Sequence, residues 1–232
     1  TMPNAIYNDL KDASIYITGG GSGIGAALTE GFVAQGARVA FIGRSDATTF
    51  CDELEKKYGN RPLFLQGDIT DTTALKVSID KAAKVHGPIT TLINNAANDK
   101  RHSAEEVTTE FWDWMIEVNL KAYFFTCQAI LPHMRNAGFG SIINFSSISY
   151  MMGNAGYPIY TACNSAINGL SRSLAREFGP YKIRVNALAP GWVLTQKQKD
   201  LWVTEEGLTA HVARQCLKDT LDPEDIVGGC LF

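Results

Sequence analysis

Thr18-Gly19-Gly20-Gly21-Ser22-Gly23-Ile24-Gly25 is the stretch that decides the fold. It lies between an apolar run, Ser14-Ile15-Tyr16-Ile17-Thr18, and a helical pattern from Ala26 to Gln35. Glycines at such a junction let the backbone turn tightly and let a diphosphate come close. The free N–H groups at the helix start then bind its negative charge. Gly21, Gly23 and Ala26 satisfy the general spacing of a dinucleotide loop, and the strand-loop-helix setting gives that short pattern its weight. Gly19, Ser22, Gly23, Ile24 and Gly25 are the candidate contacts; a tight turn without a ligand is the alternative.

Five further apolar runs follow at intervals: Arg38 to Ile42, Leu63 to Leu65, Thr91 to Ile93, Ser141 to Phe145 and Ile183 to Ala187. They are nearly continuous rather than alternating, which suits strands covered on both faces, as in a parallel sheet. The segments between them are long enough for helices, so the chain reads as repeated βαβ units. The predicted class is α/β, a doubly wound parallel sheet of the Rossmann type. No repeat, low-complexity tract or linker interrupts it, and residues 1–232 read as one domain.

Composition narrows the function. A charged content of 19% and a net charge of −3 leave no basic footprint for nucleic acid. No apolar run approaches the length that crosses a bilayer, and Thr1 to Lys11 lacks the apolar core of a signal peptide. Cys51, Cys127, Cys163, Cys216 and Cys230 are odd in number and form no CxxC pair. They read as reduced thiols of a cytoplasmic protein. The four histidines make no ligand-spaced set, so no metal is expected. Asp222-Pro223-Glu224 resembles the start of a helix that has barely run when the sequence stops at Phe232, and a truncated end is expected there.

The end of the second strand bears on the nucleotide. An acid there would bind the ribose hydroxyls of NAD; this chain has Gly43 and then Arg44. A cation at that place favours a 2′-phosphate and hence NADP. Asp46 is close enough in sequence to keep NAD open, and a solvated Arg44 is the alternative.

The glycine loop, Asn94-Asn95-Ala96-Ala97, Asn119, Ser147 and Tyr160 occur in one order along the chain. Together they resemble the short-chain dehydrogenase/reductase family over essentially all 232 residues, and the set is far more specific than any one motif. The resemblance implies an adenine contact at Asp68 and Ile69 and a cofactor-supporting turn at Asn95 and Ala96. It implies a nicotinamide-side loop through Pro190, Gly191, Val193 and Thr195. It also casts Ser147 as the group that orients the substrate oxygen, Tyr160 as the proton acceptor and Asn119 as support for a relay water.

Oxidising an alcohol takes a hydride from carbon and a proton from oxygen. A free tyrosine ionises near about 10, so it needs a nearby cation to serve as a base at neutral pH. The family carries a lysine four residues after the tyrosine, on the same helix face. Here that place is Asn164, which has no charge and a shorter reach but could still donate a hydrogen bond to a ribose hydroxyl. Depressed turnover near neutral pH is the expectation. A natural variant with another proton route, a decayed relative and an introduced change all fit.

Asn98-Asp99-Lys100-Arg101-His102, Phe111-Trp112-Asp113 and Gly191 to Gln198 resemble the branch that oxidises aldoses such as D-xylose, L-arabinose or D-galactose to lactones. Asn98, Asn154, Trp192 and Gln196 are the candidate sugar contacts, with surface-loop roles as the alternative. Trp192 to His211 reads as polar, irregular chain and a candidate lid. Small residues Ala162, Ser165, Ala166 and Gly169 suggest helix pairing in a homodimer or homotetramer, or packing within the chain. Two other readings stay open: a ketone or 3-oxoacyl reductase on the same scaffold, and an NADP-binding protein without useful catalysis.

Overall fold

A computed structural model of the protein describes residues 5–232. All six apolar runs form strands: β1 Ser14–Thr18, β2 Arg38–Gly43, β3 Leu63–Gln66, β4 Thr91–Asn94, β5 Gly140–Phe145 and β6 Ile183–Leu188. Every pairing is parallel, in the order β3-β2-β1-β4-β5-β6. The winding direction therefore reverses between β1 and β4. A crevice opens beyond the strand ends at such a reversal, and ligands bind there in doubly wound sheets. Part of the N-terminal reading, Thr1 to Asn4, lies outside the described residues.

Alternate side chains of each strand serve opposite layers. Ile15 and Ile17 of β1 join Val39, Phe41 and Ile93 under α1 (Gly23–Ala34), α2 (Thr48–Tyr58) and the last helix, α10 (Pro223–Leu231). Tyr16 points the other way. It joins Ala40, Ile42, Leu92 and Ile142 under α3 (Thr72–His86), α5 (Ala122–Ala137) and α7 (Pro158–Phe178), the last preceded by the single turn α6 (Ser149–Met152). Each large apolar side chain taken from water contributes about 1.5–3 kcal/mol. Exposed ion pairs such as Lys57–Glu30 are screened by solvent and contribute little beside this. The two apolar layers hold the fold.

Two local features differ from expectation. The first helix starts at Gly23 rather than Ala26, so the end of the glycine loop is already helical. Trp192 to His211 is largely helical, with α8 (Gln196–Leu201) and α9 (Glu205–Ala213). α8 is polar, α9 is mixed, and neither buries a residue, but each has a threonine cap: Thr195 accepts from the Gln198 N–H at 3.3 Å and Thr204 from the Gly207 N–H at 3.1 Å. An irregularity lies between α4 (Thr109–Ile116) and α5. There the helix widens into a π-helical stretch, Glu117–Lys121, which carries Asn119.

The last helix is built as its start suggests. Asp222 and Asp225 form a reciprocal capping box around Pro223, and Val227, Cys230 and Leu231 are buried. The helix lies directly on α1, because a Cβ on Gly31 would meet Val227 Cγ1 at 2.4 Å. Alanine at position 31 would gain up to about 1 kcal/mol of helix propensity. The stiff valine opposite makes the overlap cost about 1–3 kcal/mol. Gly31→Ala is expected to lower stability by about 1–2 kcal/mol, roughly 2–8 °C in Tm for a chain of this size. Calorimetry should show part of that loss recovered when Val227→Ala is added; an unchanged or raised Tm in Gly31→Ala would contradict the contact.

Candidate active site

Two cavities of about 440 and 530 Å³ adjoin at the crevice. Ile24, Asn95, Ala97 and Thr195 line both, so they form one continuous space with two chambers.

The smaller chamber lies over the glycine loop. Gly19 and Gly23 take left-handed backbone angles, with φ of 69° and 53°. At Gly25 a Cβ would fall 1.9 Å from the Gly19 carbonyl oxygen, so only glycine allows the loop to close on itself. The turn after β4 locks it from the side. Thr18 Oγ1 accepts from the Asn95 and Ala96 N–H groups, both at 3.0 Å, while Asn95 Nδ2 donates to the Thr18 and Gly19 carbonyls at 3.1 and 3.3 Å.

The N–H groups of Gly23, Ile24 and Gly25 have no protein acceptor among the described residues; Ala26 is the first to bond, to the Ser22 carbonyl at 3.1 Å. Ser22 caps nothing with its own hydroxyl. Free donors at a helix start, over a glycine cradle, fit a nucleoside diphosphate. Arg44, Asp68 and Ile69 line the far end of this chamber. Asp46 also lines it, but its carboxylate accepts from the N–H and hydroxyl of Thr48 at 3.0 and 2.6 Å.

The larger chamber gathers Ser147, Tyr160 and Asn164 with Asn154, Trp192, Pro190, Gly191 and Val193. Asn98 and Gln196 depart from the sugar-contact expectation and lie in the smaller chamber. Asn98 is held by its turn, its side chain accepting from the Lys100 N–H at 2.9 Å, and Gln196 is drawn along α8 to Asp200 at 2.7 Å. Asn119 is buried and lines neither chamber; its side chain accepts from the Asn98 N–H at 2.8 Å and donates to the Met115 carbonyl at 3.0 Å.

Burial raises the Tyr160 phenol above its ordinary value, and the Asp99 carboxylate raises it further. The Asn164 and Ser147 side chains act in the opposite sense. The group that replaces the expected lysine is turned back on its own helix: Asn164 Nδ2 donates to the Tyr160 carbonyl at 2.9 Å. No cation compensates the phenol from position 164.

Asp99 ties the roof of the chamber together, and the sequence reading gave it no role. Lys197 Nζ and Gln198 Nε2 donate to its two oxygens at 2.7 and 2.6 Å, and Trp192 Nε1 donates to Gln198 Oε1 at 2.9 Å. Burial alone would raise the Asp99 carboxyl, but Lys197, Gln198 and Arg101 hold it below the usual range. Arg101 lies 4.0 Å over the Tyr157 ring and 5.3 Å from Trp202, also lining the chamber. The one available signal was a run of charged residues just beyond a strand end, where functional loops concentrate.

Fold and paired chambers define a Rossmann-fold oxidoreductase. The chain belongs to the short chain dehydrogenase family, whose model matches residues 13–206. It is 45% identical over 234 residues to a protein of Rhizobium meliloti named "Probable galactose dehydrogenase", covering 100% of this chain and 91% of the relative. It is 41% identical over 232 residues to the D-xylose 1-dehydrogenase of Caulobacter vibrioides, with 100% and 92% coverage. Among solved structures, a short chain dehydrogenase of Burkholderia cenocepacia in complex with NADP matches with a TM-score of 0.87 at 27% identity, covering 97% of this chain and 91% of that one.

Asp99→Asn removes a negative charge from beside the phenol. In a spectrophotometric titration, the step that Tyr160→Phe abolishes is expected to move to lower pH in Asp99→Asn. A step that stays in place or moves upward would show that Asp99 does not act on Tyr160.

Proposed function

We propose that this protein oxidises the anomeric hydroxyl of an aldose to a lactone, with NADP as the preferred nucleotide and NAD as the alternative. One observation carries the reading: Tyr160 and Ser147 share a chamber that opens directly onto the glycine cradle. Full-length relatives named for galactose and xylose support a sugar as substrate. Arg44 beside the cradle, and the NADP complex of the Burkholderia relative, support the phosphorylated nucleotide. The nicotinamide would supply the hydride acceptor.

The chain's own residues handle the proton and the orientation. Tyr160 in its ionised form takes the hydroxyl proton, and Ser147 donates to the substrate oxygen to align it. The glycine-loop amides and Asn95 hold the nucleotide side. Asn119, committed to Asn98 and Met115, acts by fixing the Asn98 turn. Trp192 gives a flat apolar wall, and Asn154 a polar edge, for a sugar ring. The clasp from Asp99 to α8 covers the chamber as a lid. In this reading the chain works as one domain in the cytoplasm. The face of α7 bearing Ala162, Ser165 and Gly169 is exposed, and a homodimer or homotetramer would cover it.

Asn164 favours a second reading, nucleotide binding without useful turnover. The ionised phenol is scarce at neutral pH because burial and Asp99 oppose it. Each tenfold in that population corresponds to about 1.4 kcal/mol.

Nucleotide reduction should be measured across free aldoses, ketones and 3-oxoacyl substrates, with NAD and NADP. The expected result is slow oxidation of an aldose that accelerates with rising pH, as Tyr160 deprotonates. Asn164→Lys should raise the rate near neutral pH by about ten- to a hundredfold and shift the profile to lower pH. Tyr160→Phe should abolish turnover while nucleotide binding persists. If neither the chain nor Asn164→Lys oxidises any aldose while both bind NADP, the second reading stands instead.

A further inference from the structure

We infer that His102 is a positioning residue for Tyr160, acting as the acceptor that caps the helix on which the tyrosine sits. The inference rests on the reading of Tyr160 as the proton acceptor. The start of α7 has an unmet need. Its N-cap residue, Tyr157, makes no side-chain cap, and Pro158 at the first position has no N–H. The first free donor of the helix is the Ile159 N–H, one residue before Tyr160.

That donor meets the imidazole of His102, which comes from the loop after β4, 57 residues earlier in sequence; the distance from Ile159 N to His102 Nε2 is 3.2 Å. The other ring nitrogen, Nδ1, lies 2.9 Å from the Lys100 carbonyl oxygen. A carbonyl only accepts, so Nδ1 carries the hydrogen and Nε2 presents a bare lone pair. The two partners thus select one neutral tautomer, and its electron-rich end faces the positive end of the helix. The loop is also stitched to the chain entering α7, the His102 N–H donating to the Gly156 carbonyl at 2.8 Å. Phe111 of α4 holds the imidazole edge-on, with ring centroids 5.0 Å apart.

The loop that carries His102 also carries Asp99, the clasp of the chamber roof. A single short segment therefore registers the start of the tyrosine helix against the cover over the substrate. Ile159 is buried with Met115 and Cys163, and Tyr160 packs on the same cluster. Loss of the cap would let the first turn of α7 fray and would shift the phenol relative to Ser147, while most of the helix stays packed. Misplacement on that scale costs about ten- to a hundredfold in rate.

Three variants separate the cap from a general packing role. His102→Gln keeps an acceptor at the distance of Nε2. His102→Asn reaches only as far as Nδ1 and so loses the Ile159 contact, and His102→Ala removes both. Amide hydrogen exchange at Ile159, Tm, kcat, KM and NADP affinity should be measured for each. Ile159 exchange is expected to accelerate in the Asn and Ala variants. Their kcat should fall about ten- to a hundredfold, with NADP affinity within about twofold. His102→Gln should restore protection and most of kcat.

Equal Ile159 protection in all four proteins would overturn the cap. So would a kcat that follows Tm alone, with Gln no better than Asn. If the unaltered chain turns over no aldose, that result counts against the proposed function, and the Ile159 exchange pattern alone then decides for or against the cap.

Discussion

Everything at the crevice depends on the knot where Thr18, Gly19, Gly25 and Asn95 meet. A strand, a tight loop and the next helix can pass through so small a space only because Gly25 has no side chain. Asn95 then closes the knot from the other half of the sheet, using its amide and its backbone against Thr18 and Gly19. This is the point where the winding reverses. One set of bonds therefore shapes the glycine cradle and joins the two halves of the sheet. The chamber with Tyr160 and Ser147 inherits its position from that junction, since Asn95 and Ile24 form walls of both spaces.

The electrostatics of the larger chamber run against an ionised tyrosine. Burial and the Asp99 carboxylate both favour the neutral phenol, and Asn164, which also donates to the Tyr160 carbonyl, opposes them with an uncharged amide rather than a cation. Asp99 is itself kept ionised by Lys197, so its negative charge is fixed rather than adjustable. The carboxylate that clasps the roof thus opposes ionisation of the phenol beneath it. The same surroundings that hold the proton on the phenol also make it a weaker acid, so the chamber favours the neutral form without promoting transfer in either direction.

Much of this molecule is legible in the chain. The inner strands β1, β4 and β5, with most of β2, are largely apolar because both faces are covered, while the edge strands β3 and β6 are only partly covered, and that pattern needs no tertiary information. The glycine loop is equally plain, since a turn with such backbone angles excludes other residues. What sequence alone could not show was partnership across distance. Nothing local says that Asp99 will meet Lys197 and Gln198, or that His102 will face Ile159. Asn98 and Gln196 look like sugar contacts because they are polar and lie in the right loops. Their immediate neighbours, Lys100 and Asp200, and the course of the backbone put them in the chamber over the glycine loop instead. The helices α8 and α9 escaped the pattern reading for a related reason: their capping threonines are local signals, but their faces carry no apolar period.

Beneath the crevice runs a short chain of amides. Asn94 Nδ2 donates to Asn144 Oδ1 at 2.9 Å, and Asn144 Nδ2 donates to Ser171 Oγ at 3.0 Å. Asn94 and Asn144 are also direct neighbours in the ladder between β4 and β5. All three side chains are buried in an otherwise apolar layer. A slip of one residue between those strands would separate the two amides and strand polar groups without partners, each at a cost of about 1–3 kcal/mol. The amide chain is therefore an alignment key. It admits a single register for the middle of the sheet and ties α7 to it, so the loop bearing the serine and the helix bearing the tyrosine are indexed to each other before any ligand arrives.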